Sequence, residues 1–180
     1  MDTTRSAPLL LAHTVLGKGQ SGAPCHVHSF LINDDGKGFP NSKKLPLLVY
    51  EQSVDLKGAA DPAAVFERLV VKHQWGDVWR DGVYPYHHYH STAHEGLGVY
   101  AGTATVQFGG DDGISHKCLE QSEDFAVVGF YPRGQKVDMQ YGKRGERPAS
   151  DERIRALPLP DEDPLFGASG PLLMCWHPSS

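Results

Sequence analysis

The sequence predicts an all-β fold, a jelly-roll-like β-barrel with one or two peripheral helices. Glycine (20 residues) and proline (13 residues) are both frequent among the 180 residues, and they are typical of the turns between strands. The apolar runs are short and are separated by turn-forming residues, as in barrels and sandwiches. Only one segment has a convincing helix pattern, so helices are expected at the periphery alone.

The first strands are predicted in the N-terminal quarter of the chain. Val27–Ile32 has the composition of a strand, and the turn-forming run Asn33–Gly36 ends it. Leu45–Glu51 is the second apolar run. Residues 1–25 show no clear pattern, and we expect them to form a flexible arm or an added strand.

The one convincing helix is predicted to begin at Asp61 and Pro62. Aspartate caps helix N-termini well, and proline suits the first turn because its missing N–H is not needed there. The helix is expected to end near His73. Its buried stripe has the spacing of one helix face and consists of Val65, Phe66, Leu69 and Val70.

From Trp75 onward the pattern indicates β-structure. The predicted strands are Val83–His90, Glu95–Tyr100, Thr103–Phe108 and Phe125–Tyr131. Short turns separate them, which favours antiparallel neighbours.

The last part of the chain, 143–180, is rich in proline, glycine and charge. We expect it to wrap around the barrel, anchored by Leu172, Leu173 and Trp176. No internal repeat and no linker divides the sequence, so residues 1–180 are predicted to form one domain.

Composition excludes several classes of function. The formal net charge is −5 and there is no basic run, so neither nucleic acid nor an anionic membrane surface is an expected partner. No apolar stretch approaches the roughly 20 residues of a membrane helix. Cys25, Cys118 and Cys175 are an odd number of widely spaced cysteines, which favours reduced thiols in a cytoplasmic protein.

A histidine-rich segment holds the most specific pattern in the chain. Side chains alternate faces along a strand, so His88 and His90 are expected on the same face. A short turn after them would bring Glu95 into the same space. Two imidazoles and a carboxylate that meet at one point suit a divalent transition metal, and they leave positions open for water and substrate. The alternative is an exposed group of histidines that binds nothing.

The spacing of this segment resembles the first motif of the cupins. That motif is Gly, five residues, His-x-His, three or four residues, Glu, six residues, Gly. Gly82, His88, His90, Glu95 and Gly102 match every position. Agreement at five fixed positions is much more specific than a lone His-x-His.

The wider wording is similar to a group of small single-domain cupins, the YjlB-type proteins. The similarity is strongest over Trp79–Gly82 and Tyr84–Glu95, and it extends from about Phe30 to Trp176. The further matching stretches are Leu45–Leu48, Val128–Pro132 and Pro158–Pro160. The resemblance implies a cupin-type jelly-roll barrel, and it implies a site more firmly than a reaction.

The resemblance also implies a fourth ligand, because cupins have a second motif that ends in a metal-binding histidine. That motif is Gly, five residues, Pro-x-Gly, two residues, His, and only its end is visible here, as Gly113–Lys117 with His116. Its proline and the strand before it are absent. Relatives are expected to have roughly fifteen more residues in front of Ile114, enough for a turn and strands of five or six residues. His116 is therefore the candidate fourth ligand, with weak support from its surroundings.

Other candidate residues have a simpler expected role. His87 and His94 alternate out of phase with the ligand pair, so we expect them around the site and not in it. His26-x-His28 has the same spacing but no following glutamate, and it is predicted to be part of a strand. Aromatic residues usually serve burial, so core or rim packing is expected, with pocket lining as the alternative, for Tyr84, Tyr86 and Tyr89.

Two further residues were weighed as parts of a site. Arg133 is expected in an exposed loop, and the alternative is a contact to a carboxylate substrate. Cys118 is expected to be a buried thiol, and the alternative is a soft metal ligand or a redox-sensitive group.

The functional expectation follows from the resemblance. It implies a mononuclear divalent metal, Fe, Mn, Ni or Zn, in an oxidoreductase of the dioxygenase type or an isomerase that acts on a small molecule. A non-catalytic module that binds a small molecule or a metal is the alternative, as is an inactive shortened isoform. A homodimer is expected by resemblance alone. No residue outside the metal ligands is identified as catalytic.

Overall fold

The structure is a computed structural model. It describes residues 26–32, 34, 37–42, 44–109 and 115–177. The predicted arm, 1–25, lies outside the described residues. So do most of the turn after the first strand and the start of the segment that was compared with the second cupin motif.

The described residues form seven strands and three helices. The strands are β1 (His26–Phe30), β2 (Leu47–Glu51), β3 (Trp75–Asp81), β4 (Gly96–Ala101), β5 (Ala104–Phe108), β6 (His116–Gln121) and β7 (Ala126–Pro132). The helices are α1 (Pro62–Lys72), α2 (Ala149–Ala156) and α3 (Pro171–Trp176). The mainly β character is confirmed, whereas the expectation of one or two helices is wrong, because the C-terminal part adds two short ones.

The strands form three antiparallel sheets. The orders are β1-β2, β3-β7-β4 and β5-β6. Hydrogen bonding between the described strands does not close these sheets into a barrel. In the middle sheet β7 lies between β3 and β4, so both of its edges are paired, and Val127 and Val128 are fully buried.

Two hydrophobic clusters pack on the two faces of the middle sheet. Val128 belongs to one cluster and Val127 to the other, as expected for neighbouring strand residues that point to opposite faces. Helix α1 covers the first face with Phe66 and Val70. The β5-β6 hairpin covers the second face with Val106. The site described below lies at the edge of this second layer.

The predicted helix is confirmed at both ends. The side chain of Asp61 accepts a hydrogen bond from the backbone N–H of Ala64 (3.1 Å), and Pro62 is the first helical residue. His73 follows as the C-terminal cap. The cap and the proline position the apolar stripe against the middle sheet, where Val70 is fully buried.

The C-terminal residues pack onto the same cluster. Leu172 of α3 is 5% exposed and joins the core around Phe66, and Leu173 and Trp176 pack against it. The indole N–H of Trp176 also donates to the carbonyl of Pro46 (3.0 Å). No helix in the described ranges is both long enough and apolar enough to cross a membrane.

The predicted strand Val83–His90 is wrong. This stretch has only isolated bridges, His88 with His116 and Tyr89 with Gln140. Pro85 has no N–H to give to a ladder, so continuous pairing is interrupted there. The other five predicted strands are confirmed to within two residues at each end.

Position 102, the last of the histidine-rich motif, favours glycine for conformational and steric reasons. Its φ is +63°, which disfavours other residues, and an added Cβ would lie 2.6 Å from the backbone nitrogen of Phe125. Gly58 has a similar φ of +72° but open space around it. Comparing substitutions at the two glycines therefore separates the cost of backbone strain from the cost of steric overlap.

We expect Gly102→Ala to lower the free energy of unfolding more than Gly58→Ala does. Left-handed strain costs about 1–2 kcal/mol at either position, and overpacking adds about 1–3 kcal/mol at Gly102 alone. Chemical denaturation of both variants measures the difference. Equal losses would show that the turn after β4 moves to accept a side chain.

Candidate metal centre

The four predicted site residues lie together. His88 and His90 are on the extended segment after β3, Glu95 comes just before β4, and His116 is the first residue of β6. Glu95 Oε2 is 3.5 Å from His90 Nε2 and 3.4 Å from His116 Nε2. The ring centroids of His88 and His116 are 4.3 Å apart. Three separate parts of the chain thus meet at one point.

Main-chain pairing fixes the position of His116 on both sides. Within the hairpin it faces Phe108 on β5. On the other side its N–H donates to the carbonyl of His88 (3.2 Å), and the N–H of Cys118 donates to the carbonyl of Tyr84 (2.8 Å). The histidine segment itself therefore pairs with β6 and holds the backbone of His116, whose role as a ligand stays a prediction.

The site is nearly closed to solvent. His88 is 3% exposed, and the side chains of His90, Glu95 and His116 are 5%, 11% and 12% exposed. Burial lowers the pKa of His116 to about 4 and also lowers the pKa of His88. Both rings are therefore neutral at pH 7, and a neutral imidazole has a nitrogen lone pair to give to a ligand.

The two ring nitrogens of His90 differ in their hydrogen bonding. Its Nδ1 faces the carbonyl oxygen of Asp138, which only accepts, so Nδ1 carries the proton. Nε2 is buried and has no hydrogen-bond partner; its 3.5 Å approach to Glu95 lacks hydrogen-bond geometry. Burial lowers the pKa of His90, but Glu95 and the Asp138 carbonyl outweigh it and raise the pKa overall.

Asp138 supports the candidate site, and the sequence did not indicate it. Besides its carbonyl contact to His90, its carboxylate accepts hydrogen bonds from the Ser91 N–H (2.7 Å), the Ser91 hydroxyl and Gln140 Nε2 (2.8 Å). Burial would raise the pKa of Asp138, yet these bonds hold it below its ordinary value. Arg153 Nε donates to the Ser91 hydroxyl oxygen (2.7 Å) and extends the network. The network fixes the backbone that orients His90.

A second support holds Glu95. The Tyr131 hydroxyl donates to Glu95 Oε1 (2.9 Å) and accepts from Trp79 Nε1 (3.0 Å). Burial would raise the pKa of Glu95, but His90, His116 and Tyr131 together lower it, so it is ionised. Gly129 makes room for this series of hydrogen bonds, because a Cβ there would lie 2.0 Å from the Trp79 ring.

The donor set fits a divalent transition metal in its chemistry. It offers neutral imidazoles and one carboxylate, and the Nδ1 of His90 has the carbonyl partner typical of metal-bound histidines. Two atoms that are each about 2.1 Å from one ion lie about 3.0–3.4 Å apart, close to the two distances around Glu95. Among the described residues no three or more His, Cys, Asp or Glu side chains are already arranged to hold an ion, so binding requires the side chains to shift.

The neighbouring histidines have other contacts. His87 Nδ1 lies 2.7 Å from the Ser115 hydroxyl oxygen, and its ring packs on Phe39. The His94 ring packs on Trp176 with centroids 4.9 Å apart, burial lowers its pKa to about 4, and its Nε2 is also buried without a hydrogen-bond partner. The described contacts join neither ring to Glu95, and their place outside the ligand set stays a prediction.

The remaining candidates have other contacts, some polar and some within the core. His28 on β1 is 3.2 Å from Glu51, away from the cluster. Cys118 is buried in the second hydrophobic cluster, and Arg133 is exposed and donates to Gln74 (3.0 Å). The buried Tyr89 donates to Ser150 (3.0 Å).

Comparison with known proteins finds one similar chain of note. An uncharacterised protein of Bacillus subtilis (strain 168), YjlB, is 37% identical over 164 residues, which cover 82% of this chain and 95% of YjlB. No family model matches the chain, and no solved structure matches it.

The alignment with YjlB also contains gaps. Since 82% of 180 residues is about 148 residues, about 16 of the 164 aligned positions have no residue in this chain. Roughly fifteen residues are expected to be missing in front of Ile114, so the two numbers are similar.

Proposed function

Because this chain belongs to the family of YjlB, whose own function is uncharacterised, we propose a function from the site: a cupin with a jelly-roll fold that binds one divalent transition metal. The proposed ligands are His88, His90, Glu95 and His116. We propose that it is an enzyme of small-molecule chemistry, an oxidoreductase of the dioxygenase type or an isomerase.

One observation carries the proposal. The Nε2 of His90 is buried without a hydrogen-bond partner, and the ionised Glu95 and the neutral His116 converge beside it. A buried polar atom without a partner costs stability. A metal ion would give Nε2 a bonding partner, and binding would displace the proton that the raised pKa of His90 favours.

The chemistry divides between the ion and the chain. A bound ion would supply Lewis-acid or redox chemistry. The chain orients His90 through the Asp138 carbonyl and holds Glu95 through Tyr131. The near-complete burial of these side chains excludes most water, which strengthens electrostatic interactions with a bound substrate.

The proposal includes a cytoplasmic location. Cys118 and Cys175 are both free thiols, and such thiols persist in a reducing compartment.

Elemental analysis of protein purified without chelator tests the metal proposal. We expect up to one transition-metal ion per chain. Iron together with O₂ uptake during a small-molecule screen would support the oxidoreductase. Zinc without O₂ uptake would leave the isomerase, and tight ligand binding without turnover would indicate a non-catalytic module. Protein without any transition metal, even after incubation with excess metal, would refute the proposal.

The distinction between ligand and neighbour gives a second prediction. His88→Gln should weaken metal affinity more than His87→Gln, because His87 contacts Ser115 and not Glu95. The His88 ring packs on the proposed ligand His116, whereas the His87 ring packs on Phe39. For His87→Gln we therefore expect a loss of about 10- to 100-fold at most, as for groups that only support a ligand. Competition titrations with a chelator measure both. A greater loss for His87→Gln would mean that the ligand assignment is shifted by one residue.

A further inference from the structure

Three exposed tyrosines border the candidate metal centre. Tyr84, Tyr86 and Tyr141 are 46%, 44% and 41% exposed. Tyr84 and Tyr86 stack with centroids 5.0 Å apart and planes within 11° of parallel. Tyr141 lies 6.2 Å from Tyr86. Aromatic side chains normally contribute to stability through burial, so three open rings in contact indicate a surface kept for something else.

This aromatic surface is continuous with the site. Tyr84 and Tyr86 contact the ring of His88 edge to face, at 5.2 and 5.9 Å between centroids. All three residues occupy alternate positions in one short segment, and their rings are in mutual contact. A molecule that lies against the tyrosines is therefore one ring away from a proposed ligand.

A positive charge lies at the far side of this surface. Lys143 Nζ is 4.9 Å from the centroid of the Tyr141 ring. Within the part of the chain that the structure describes, the hydroxyl groups of the three tyrosines have no hydrogen-bond partner. Flat π-faces, free hydroxyl groups and one ammonium group together are complementary to a flat ring with a negative charge.

We propose that Tyr84, Tyr86, Tyr141 and Lys143 bind an aromatic carboxylate as the substrate of the metal centre. Its ring lies against the tyrosines beside His88, and Lys143 attracts the carboxylate. This inference rests on the proposed function, because it places the ring next to the proposed ion.

Isothermal titration calorimetry with two matched acids tests it. Benzoate has the flat ring, and cyclohexanecarboxylate has the same charge without the π-face. We expect the purified protein to prefer benzoate. Tyr86→Leu should weaken benzoate binding about three- to tenfold, the worth of one aromatic contact, with unchanged metal content. Lys143→Gln should weaken the binding of both acids alike.

Phe166→Leu is the matched control. Phe166 is 40% exposed and stacks on Tyr50 with centroids 6.2 Å apart. The substitution therefore removes an exposed, stacked ring away from the three tyrosines. It should leave benzoate affinity unchanged.

The outcomes separate this inference from the metal proposal. Equal affinity for the two acids, or full benzoate affinity in metal-replete Tyr86→Leu, would overturn the aromatic carboxylate and leave the metal standing. Absence of metal would overturn the proposed function. The preference for benzoate is then measured on the metal-free protein, where its loss would overturn the aromatic surface as well.

Discussion

Replacing His88 and His90 together by alanine is expected to abolish metal binding, with metal content falling from up to one ion per chain to less than about a tenth of that value. Two of the four proposed ligands are then gone, and water cannot replace a preoriented imidazole whose other nitrogen is fixed by a carbonyl group. Elemental analysis of the purified variant gives the result directly.

The chain contains a matched control for this experiment. His26 and His28 have the same spacing on β1, and His28 also lies beside a glutamate, Glu51. His26→Ala with His28→Ala should leave the metal content unchanged. If instead the His88 and His90 variant keeps its metal, or the control loses it, the site lies elsewhere.

Asp163→Asn is expected to cause a large loss of stability. Asp163 is fully buried, and each carboxylate oxygen accepts two hydrogen bonds. Oδ1 accepts from the N–H groups of Leu165 and Phe166, and Oδ2 accepts from the Tyr50 hydroxyl (2.6 Å) and the Leu172 N–H (2.9 Å). Burial and Asp163 raise the pKa of Tyr50, so its hydroxyl stays protonated and donates.

Asparagine cannot satisfy this arrangement because its NH₂ group would face donors on one side. With the NH₂ toward Tyr50 and Leu172, the Tyr50 hydroxyl can turn to accept a hydrogen bond, but the Leu172 N–H loses its acceptor. The remaining hydrogen bonds also lose their charged acceptor, and together these changes cost about 3 kcal/mol and lower the melting temperature by about 6–12 °C. Asp161→Asn, an exposed change two residues away, should have almost no effect. Thermal unfolding of both variants decides. Similar melting temperatures would show that the contacts of Asp163 are dispensable.

Local patterns predicted the elements whose cause is local. Asp61 and Pro62 define the start of α1 through their own backbone chemistry, and the structure has the helix there. Helices α2 and α3 were missed because their apolar content is low or their length is short. Pro171 at the first position of α3 and the acidic-then-basic order within α2 were the available indications.

The sequence predicted the site residues that belong to a spaced side-chain motif. It did not predict the residues that reach the site through backbone contacts or strand pairing. His88, His90 and Glu95 follow a spacing that the sequence displays. Asp138 contacts His90 through its carbonyl group, which every residue type has, so no residue type in the sequence indicates that contact. Tyr131 reaches Glu95 from 36 positions away, and only the pairing of β7 with β4 brings it there.

The main-chain pairing of His116 with Phe108 and with His88 has an evolutionary consequence. The Gly109 N–H donates to the Ser115 carbonyl (2.8 Å). This hydrogen bond joins the two strands of the hairpin at the residue before His116. Residues can be gained or lost between Gly109 and Ser115 over the history of the family while the histidine stays in register. Hairpin length and the position of His116 can therefore change independently of each other.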